Sequence, residues 1–273
     1  LVEMIRRDQV DQVIVALPWT ADRRLREVVG KLEKTPVPIR LAPDVAAFSY
    51  PGRRFTTVGR LPMMQLFERP ISGWSFLAKN MEDRLLAGGL LIALAPLLAL
   101  IALAIRLDSP GPVFFRQKRY GFNHNLFDCW KFRTMHHHMT DANAEVLTRR
   151  DDARVTRVGR FLRRTSLDEL PQLINVVKGD MSLVGPRPHA TSAKAAGRLY
   201  EEAVDAYAAR HRVKPGITGW AQVNGWRGET DTLEKIQRRV EYDLFYIDNW
   251  SLALDLKILL RTAVVVIGDR EAY

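Results

Sequence analysis

Leu85 to Ile105 is a run of 21 residues without a charge, closed by Arg84 on one side and Arg106 on the other. At about 1.5 Å per residue such a run makes a helix of roughly 31 Å, the thickness of a bilayer's hydrocarbon core. A plain transmembrane helix is therefore the first reading, and two features argue against it. Pro96 stands in mid-run, where it removes a backbone hydrogen bond and crowds the preceding turn, so a kink is expected. The flanks carry matched positive charge, with Lys79 and Arg84 before the run and Arg106, Arg116, Lys118 and Arg119 after it. Lys and Arg collect on the cytoplasmic side, so both ends are drawn to one face. A kinked helix that enters one leaflet and returns satisfies both facts, because the stretch before Pro96 reaches only about 16 Å, half the core. Residues 85–105 are accordingly read as a re-entrant helix hairpin broken at Pro96, in preference to a full span or a buried soluble helix.

The remaining chain is mixed. Gln12–Leu17 and Val37–Leu41 read as short strands, and Ala21–Lys34 carries helical apolar spacing at Leu25, Val28, Val29 and Leu32. A strand, a helix and a strand at this spacing make a βαβ unit with parallel strands. No Gly-rich phosphate fingerprint follows the first strand, so residues 1–58 are read as a partial Rossmann-like accessory domain without a working nucleotide site. The chain opens at Leu1 without an initiator Met and is expected to be part of something longer. Residues 59–79, with Pro62, Pro70, Gly73 and Trp74, read as a connector. Residues 80–273 are read as a second, α/β membrane-associated domain. Within it, Ser251 to Ile267 is apolar but carries Asp255, Lys257 and Arg261, which fits an interfacial helix or a core helix equally.

Charge narrows the partners. With 273 residues, 41 Lys plus Arg and 31 Asp plus Glu, the chain carries +10. Such a surface suits phosphate-bearing partners: nucleic acid, an anionic membrane or a phosphorylated small molecule. The single cysteine, Cys129, excludes an intrachain disulfide framework and reads as a small buried hydrophobe. His136, His137 and His138 are consecutive, so their rings do not converge on one ion in a helix or strand, and an exposed stretch is expected.

Arg154, Arg157, Arg160, Arg163 and Arg164 lead into Ser166-Leu167-Asp168-Glu169-Leu170-Pro171. Two adjacent carboxylates amid concentrated arginine suit an ionised pair that ligates a divalent cation or attacks phosphorus. A capping box from Ser166 to Glu169 is the competing structural reading, and Pro171 complicates the helix it would open. Gly185-Pro186-Arg187-Pro188 presents one guanidinium from a backbone stiffened on both sides, as a diphosphate site needs. Lys214–Trp220 and Asn224–Thr230 are Gly-punctuated, basic and aromatic, as expected of loops at a nucleotide or sugar, or of ordinary turns.

Together with Ser109–Phe115, Lys131–Met135 and Gly179–Ser182, these motifs resemble the bacterial polyprenyl-phosphate glycosyl-1-phosphate transferases, the monotopic phosphoglycosyl transferases that initiate exopolysaccharide and O-antigen synthesis. The resemblance covers residues 80 to 267. Family members often break the re-entrant helix at Ser-Pro, whereas this chain has Ala95-Pro96. The resemblance implies transfer of a sugar phosphate from a UDP-sugar to undecaprenyl phosphate, with release of UMP. It assigns Asp168 as the nucleophile of a covalent aspartyl intermediate and Glu169 as its partner in holding Mg²⁺ or assisting the lipid phosphate. Arg163, Arg187 and Lys131 would hold the phosphates of lipid and nucleotide. Glucose 1-phosphate is the expected cargo from Pro188-His189-Ala190 and Asn224–Thr230, with UDP-galactose as the alternative. The implied setting is the cytoplasmic face of a bacterial inner membrane, with the bilayer as partner, no nucleic acid, and a homodimer as in large family members. Two rivals remain: a non-enzymatic basic membrane-surface module, which leaves the carboxylate pair unexplained, and a polytopic enzyme, which one apolar segment disfavours.

Overall fold

The computed structural model describes residues 2–7, 9–17, 21–42, 55–58, 61–67, 69–139, 152–190, 194–195, 198–200, 204, 206–228 and 232–268. After a short helix α1 (Val2–Arg6), strands β1 (Val13–Val15) and β2 (Ile39–Leu41) pair in parallel across helix α2 (Asp22–Leu32). Their alternate residues Val13, Val15, Ile39 and Leu41 join Ile5 and Leu32 in a small core. The expected βαβ unit is thus present, inside a mixed sheet of order β1-β2-β4-β3. Strands β3 (Phe55–Val58) and β4 (Leu61–Phe67) form an antiparallel hairpin, and β4 also pairs antiparallel with β2. Much of the expected connector is therefore regular structure. Pro62 signalled a loop, but β2 first meets β4 at Met64, so the missing N–H of Pro62 breaks no bond to β2.

Helix α3 runs from Gly73 to Asp108, 36 residues, with Pro96 inside it. This differs from the expected helix in two ways. It begins more than three turns earlier, because Gly73–Arg84 carries its own polar anchors, and helical backbone continues past the proline. Leu and Ala on both sides are strong helix formers, so the helical backbone persists despite the donor Pro96 lacks and the crowding it brings. Ala87, Leu91, Leu94, Leu98, Ile101 and Ile105 make one stripe that packs on the body formed by the residues after it, while Leu85, Leu90, Ile92, Leu100, Leu103 and Leu107 face outward. Among the described residues α3 alone is long and apolar enough to cross a membrane.

Both ends of α3 are tied to the same body. Near its start, Lys79 Nζ lies 3.1 Å from Asp83 Oδ1 and 2.7 Å from Asp255 Oδ2. Asp83 in turn accepts from Leu183 N and Ser182 Oγ. At its end, Asp108 accepts from Val158 N at 3.1 Å, and Arg133 bonds Ser109 and Pro110.

The body contains the hairpin β5 (Phe114–Tyr120) and β6 (Leu126–Phe132), helices α4 (Arg157–Thr165) and α5 (Gln172–Lys178), and the parallel pair β7 (Ser182–Val184) and β8 (Gly216–Thr218). Helices α6 (Trp220–Val223), α7 (Leu233–Asp248) and α8 (Leu252–Gly268) complete it. Its core joins Cys129, Leu173, Val176, Met181, Val184, Tyr246 and Ile258, so Cys129 is a buried hydrophobe. Helix α8 is core and surface at once: Asp255 and Ile258 are buried, while Leu252, Leu256, Leu260 and Val264 are exposed one turn apart.

Candidate active site

The carboxylate pair lies on a single 3₁₀ turn, Leu167–Glu169, between α4 and α5. Three local features place it. Gly159 lets α4 lie against the Thr134 carbonyl, since a Cβ there would come within 2.0 Å of that oxygen. Ser166 ends α4 in the left-handed conformation (φ 54°), which turns the chain sharply, and Pro171 serves as the N-cap of α5. The capping box expected at Ser166 does not form: its hydroxyl makes no cap bond and instead accepts from Arg227 Nη2 at 2.6 Å. Pro171 is no obstacle because the helix begins after it.

The strand carrying Lys131 is held against this turn from the side. Buried Asn175 of α5 accepts from Trp130 N at 3.0 Å and donates to the Asp128 carbonyl at 2.7 Å, locking the edge of β6. Lys131 Nζ then lies 2.6 Å from Glu169 Oε1. Arg187 approaches the same carboxylate as a fork, Nη1 to Oε2 at 2.9 Å and Nη2 to Oε1. These contacts hold the Glu169 carboxyl well below the usual carboxylate range despite its burial.

Asp168 has the opposite environment. It is buried, and among the described residues no donor bonds its carboxylate. Burial pushes its pKa up to about 6, with the neighbouring Glu169 charge adding to the rise while Lys131, Arg163 and Arg187 oppose it. Arg163 gives its Nε to Thr134 Oγ1 at 2.8 Å and acts on Asp168 through its charge. The structure therefore gathers all five residues singled out from sequence. Their pKa values are driven apart, as in sites where one carboxylate reacts and the other stays ionised.

Both Glu169 oxygens are engaged by cations, and the described residues contain no group of three or more His, Cys, Asp or Glu able to hold an ion. His137 and His138 are exposed.

A second layer, illegible in the sequence, fixes Arg187. Three consecutive carbonyls of its loop each meet a separate donor: Pro186 O meets Gly216 N at 3.0 Å, Arg187 O meets Arg210 Nη2 at 2.7 Å, and Pro188 O meets Arg119 Nη1. Arg210 is itself held by Asp243, Nε to Oδ2 at 2.7 Å, with both residues buried. His189 lies among Arg210, Arg239 and Tyr207, and burial among these guanidiniums keeps it neutral, its pKa well below the ordinary histidine value. Arg210 and Asp243 are separated by 33 positions, so no local motif pairs them. Of the Asn224–Thr230 motif, Arg227 reaches Ser166 beside the pair, while Glu229 and Thr230 lie outside the described residues.

Residues 74–269 match the bacterial sugar transferase family, and residues 1–43 match a CoA-binding domain. The chain is 46% identical over its whole length to a UDP-glucose:undecaprenyl-phosphate glucose-1-phosphate transferase of Escherichia coli, covering 58% of that protein. It is likewise 46% identical to an undecaprenyl-phosphate glucose phosphotransferase of Komagataeibacter xylinus, covering 52% of it. A UDP-N-acetylgalactosamine-undecaprenyl-phosphate N-acetylgalactosaminephosphotransferase of Aeromonas hydrophila is 35% identical over 89% of the chain. The chain thus spans little more than half the length of these relatives.

Proposed function

The chain belongs to the bacterial sugar transferase family, and on that premise we propose that it transfers glucose 1-phosphate from UDP-glucose to undecaprenyl phosphate. The observation that carries the reading is the division of labour in the pair: Asp168 has no bonded partner among the described residues, while Glu169 is clamped by Lys131 and Arg187. A carboxylate left free of hydrogen bonds beside three cations is equipped to attack phosphorus. In the proposed first step an Asp168 oxygen forms a bond to the glucose-bearing phosphorus, and the bond from that phosphorus to the bridging oxygen breaks, with the electron pair leaving on UMP. In the second, an oxygen of the lipid phosphate attacks the same phosphorus and Asp168 departs as carboxylate, leaving undecaprenyl-diphospho-glucose. Arg187 and Lys131 would take the diphosphate charge, and Arg163 would keep Asp168 ionised. Mg²⁺ enters this reading only as a companion of the diphosphate, neutralising charge on the transferring group when bound. Glucose rests on the names of relatives that are 42–46% identical over the whole chain, and those names do not favour galactose.

The membrane half of the proposal is a re-entrant anchor at the cytoplasmic face of the inner membrane. Its support is that Lys79–Asp83 at one end of α3 and Asp108 at the other bond one and the same body, which favours both ends lying on one face. Residues 1–58 are read as the remnant of a Rossmann-like accessory domain on the strength of the βαβ unit, and a homodimer rests on the family alone.

The test is UMP release from UDP-glucose without lipid acceptor. One UMP per chain, with glucose phosphate retained on the protein, is expected. Release that appears only with undecaprenyl phosphate would sink the covalent route.

A further inference from the structure

The outer face of α4 takes no part in the site described above. Arg157, Arg160, Phe161 and Arg164 stand at i, i+3, i+4 and i+7, one side of the helix, and all are exposed, the Phe161 ring by half. The opposite side, Gly159 and Leu162, is buried. Arg154 just upstream is occupied by Asp152 at 2.6 Å. Among the described residues none of the other three outward guanidiniums has a carboxylate within ion-pair distance. Three arginines around an uncovered aromatic ring make a surface built for a partner that is anionic at its boundary and apolar beneath.

The position of α4 selects the partner. Val158 N at its start bonds Asp108 at the end of α3, and Leu162 packs with Ile101, Ile105 and Phe132. Leu103 and Leu107 on that last stretch of α3 are exposed, as is Phe161 on the helix packed against it. We propose that this face of α4 docks on anionic phospholipid headgroups, Phe161 sinking toward the acyl boundary while Arg157, Arg160 and Arg164 take lipid phosphates. The proposal rests on the membrane reading of α3. Helix α4 passes into Ser166 and the 3₁₀ turn without a spacer, so docking it fixes the height of Asp168 above the surface.

The experiment measures binding of the purified chain to phosphatidylcholine vesicles with and without phosphatidylglycerol, across a salt series. Wild type is expected to favour the anionic vesicles by on the order of 10-fold or more at low salt, with the gap closing as salt rises. R157Q/R160Q/R164Q should lose the gap while keeping its melting temperature and its binding to neutral vesicles. The triple lysine variant keeps charge and should keep the gap, which guards against a glutamine variant that fails to fold. Equal binding of wild type to both vesicles overturns the proposal and leaves the anchor standing, as does a gap that survives in the glutamine variant or vanishes in the lysine one. Wild type that binds neither vesicle overturns the anchor and this proposal with it.

Discussion

Arg187 grips Glu169 with both terminal nitrogens, so the guanidinium assigned to a substrate phosphate already holds a carboxylate. Lys131 shares that carboxylate at 2.6 Å. If these two cations also take the nucleotide's diphosphate, as the proposed function has it, binding would exchange one anion for another and release Glu169.

Glu169→Gln should therefore bind UDP-glucose several-fold more tightly than wild type in the absence of lipid, although it turns over poorly. Calorimetry in an Asp168→Asn background, where no chemistry intervenes, makes the comparison. Weaker binding would show that Glu169 contributes ligands to the substrate instead of competing with it.

Asp168→Asn should reduce turnover at least about 100-fold, because the amide keeps the shape and loses the nucleophile. It should also stabilise the fold at pH 8. A carboxyl raised to about 6 binds its proton more tightly folded than unfolded, so wild type has its full stability from this group below its ordinary pKa of 3.8 and loses it as pH rises through 6. The melting-temperature gap between variant and wild type should open over that window and close near pH 4.

The pH profile of kcat/KM should show an acid limb near 6, where Asp168 becomes ionised. Glu169→Gln removes a neighbouring charge that holds this value up, so its limb should lie at lower pH. An unmoved limb would assign the titration to another group.

Arg187→Lys should cost about 1–3 kcal/mol in kcat/KM with little change in melting temperature, since an ammonium cannot reproduce the fork. Asp243→Asn is different in kind. It leaves Arg210 buried without its partner, and both stability, by about 3–5 kcal/mol, and kcat/KM should fall. If kcat/KM holds while the melting temperature drops, Arg210 does not position Arg187.

For topology, single cysteines in a Cys129→Ser background belong at Trp74 and Leu107, which are 86% and 79% exposed, because Lys79 and Ser109 at either end are buried in polar contacts. An impermeant thiol reagent should label both from the same side. Opposite-sided labelling would make α3 an ordinary span. Pro96→Leu restores the missing backbone bond and should shift the pattern toward that spanning form.

Much of the site is legible locally. The carboxylate pair, the flanking arginines and the proline-bound Arg187 are each short-range patterns, and their chemistry follows from residue type. The role of Ser166 was not legible: a serine three residues before a glutamate reads as a cap, but its hydroxyl is taken by Arg227, 61 positions on. The Arg210–Asp243 clamp and the grip of Asn175 on β6 are invisible for the same reason, as side chains distant in sequence meet only after the chain has folded.

The sequence by itself determined that one segment is long and apolar enough to meet a bilayer, that a βαβ unit lies near the start of the chain, and that two carboxylates lie among cations, because periodicity and composition act over a few neighbouring residues. Tertiary structure decided which carboxylate is clamped and which is left without a hydrogen bond among the described residues. Asp168 and Glu169 are adjacent and chemically alike, and only the directions from which Lys131 and Arg187 approach, together with burial, separate them. Tertiary structure also decided that both ends of α3 fasten to one body. Lys79 meets Asp255 across 176 residues of chain, and such a pairing exists only once desolvation and packing have brought the two charges together.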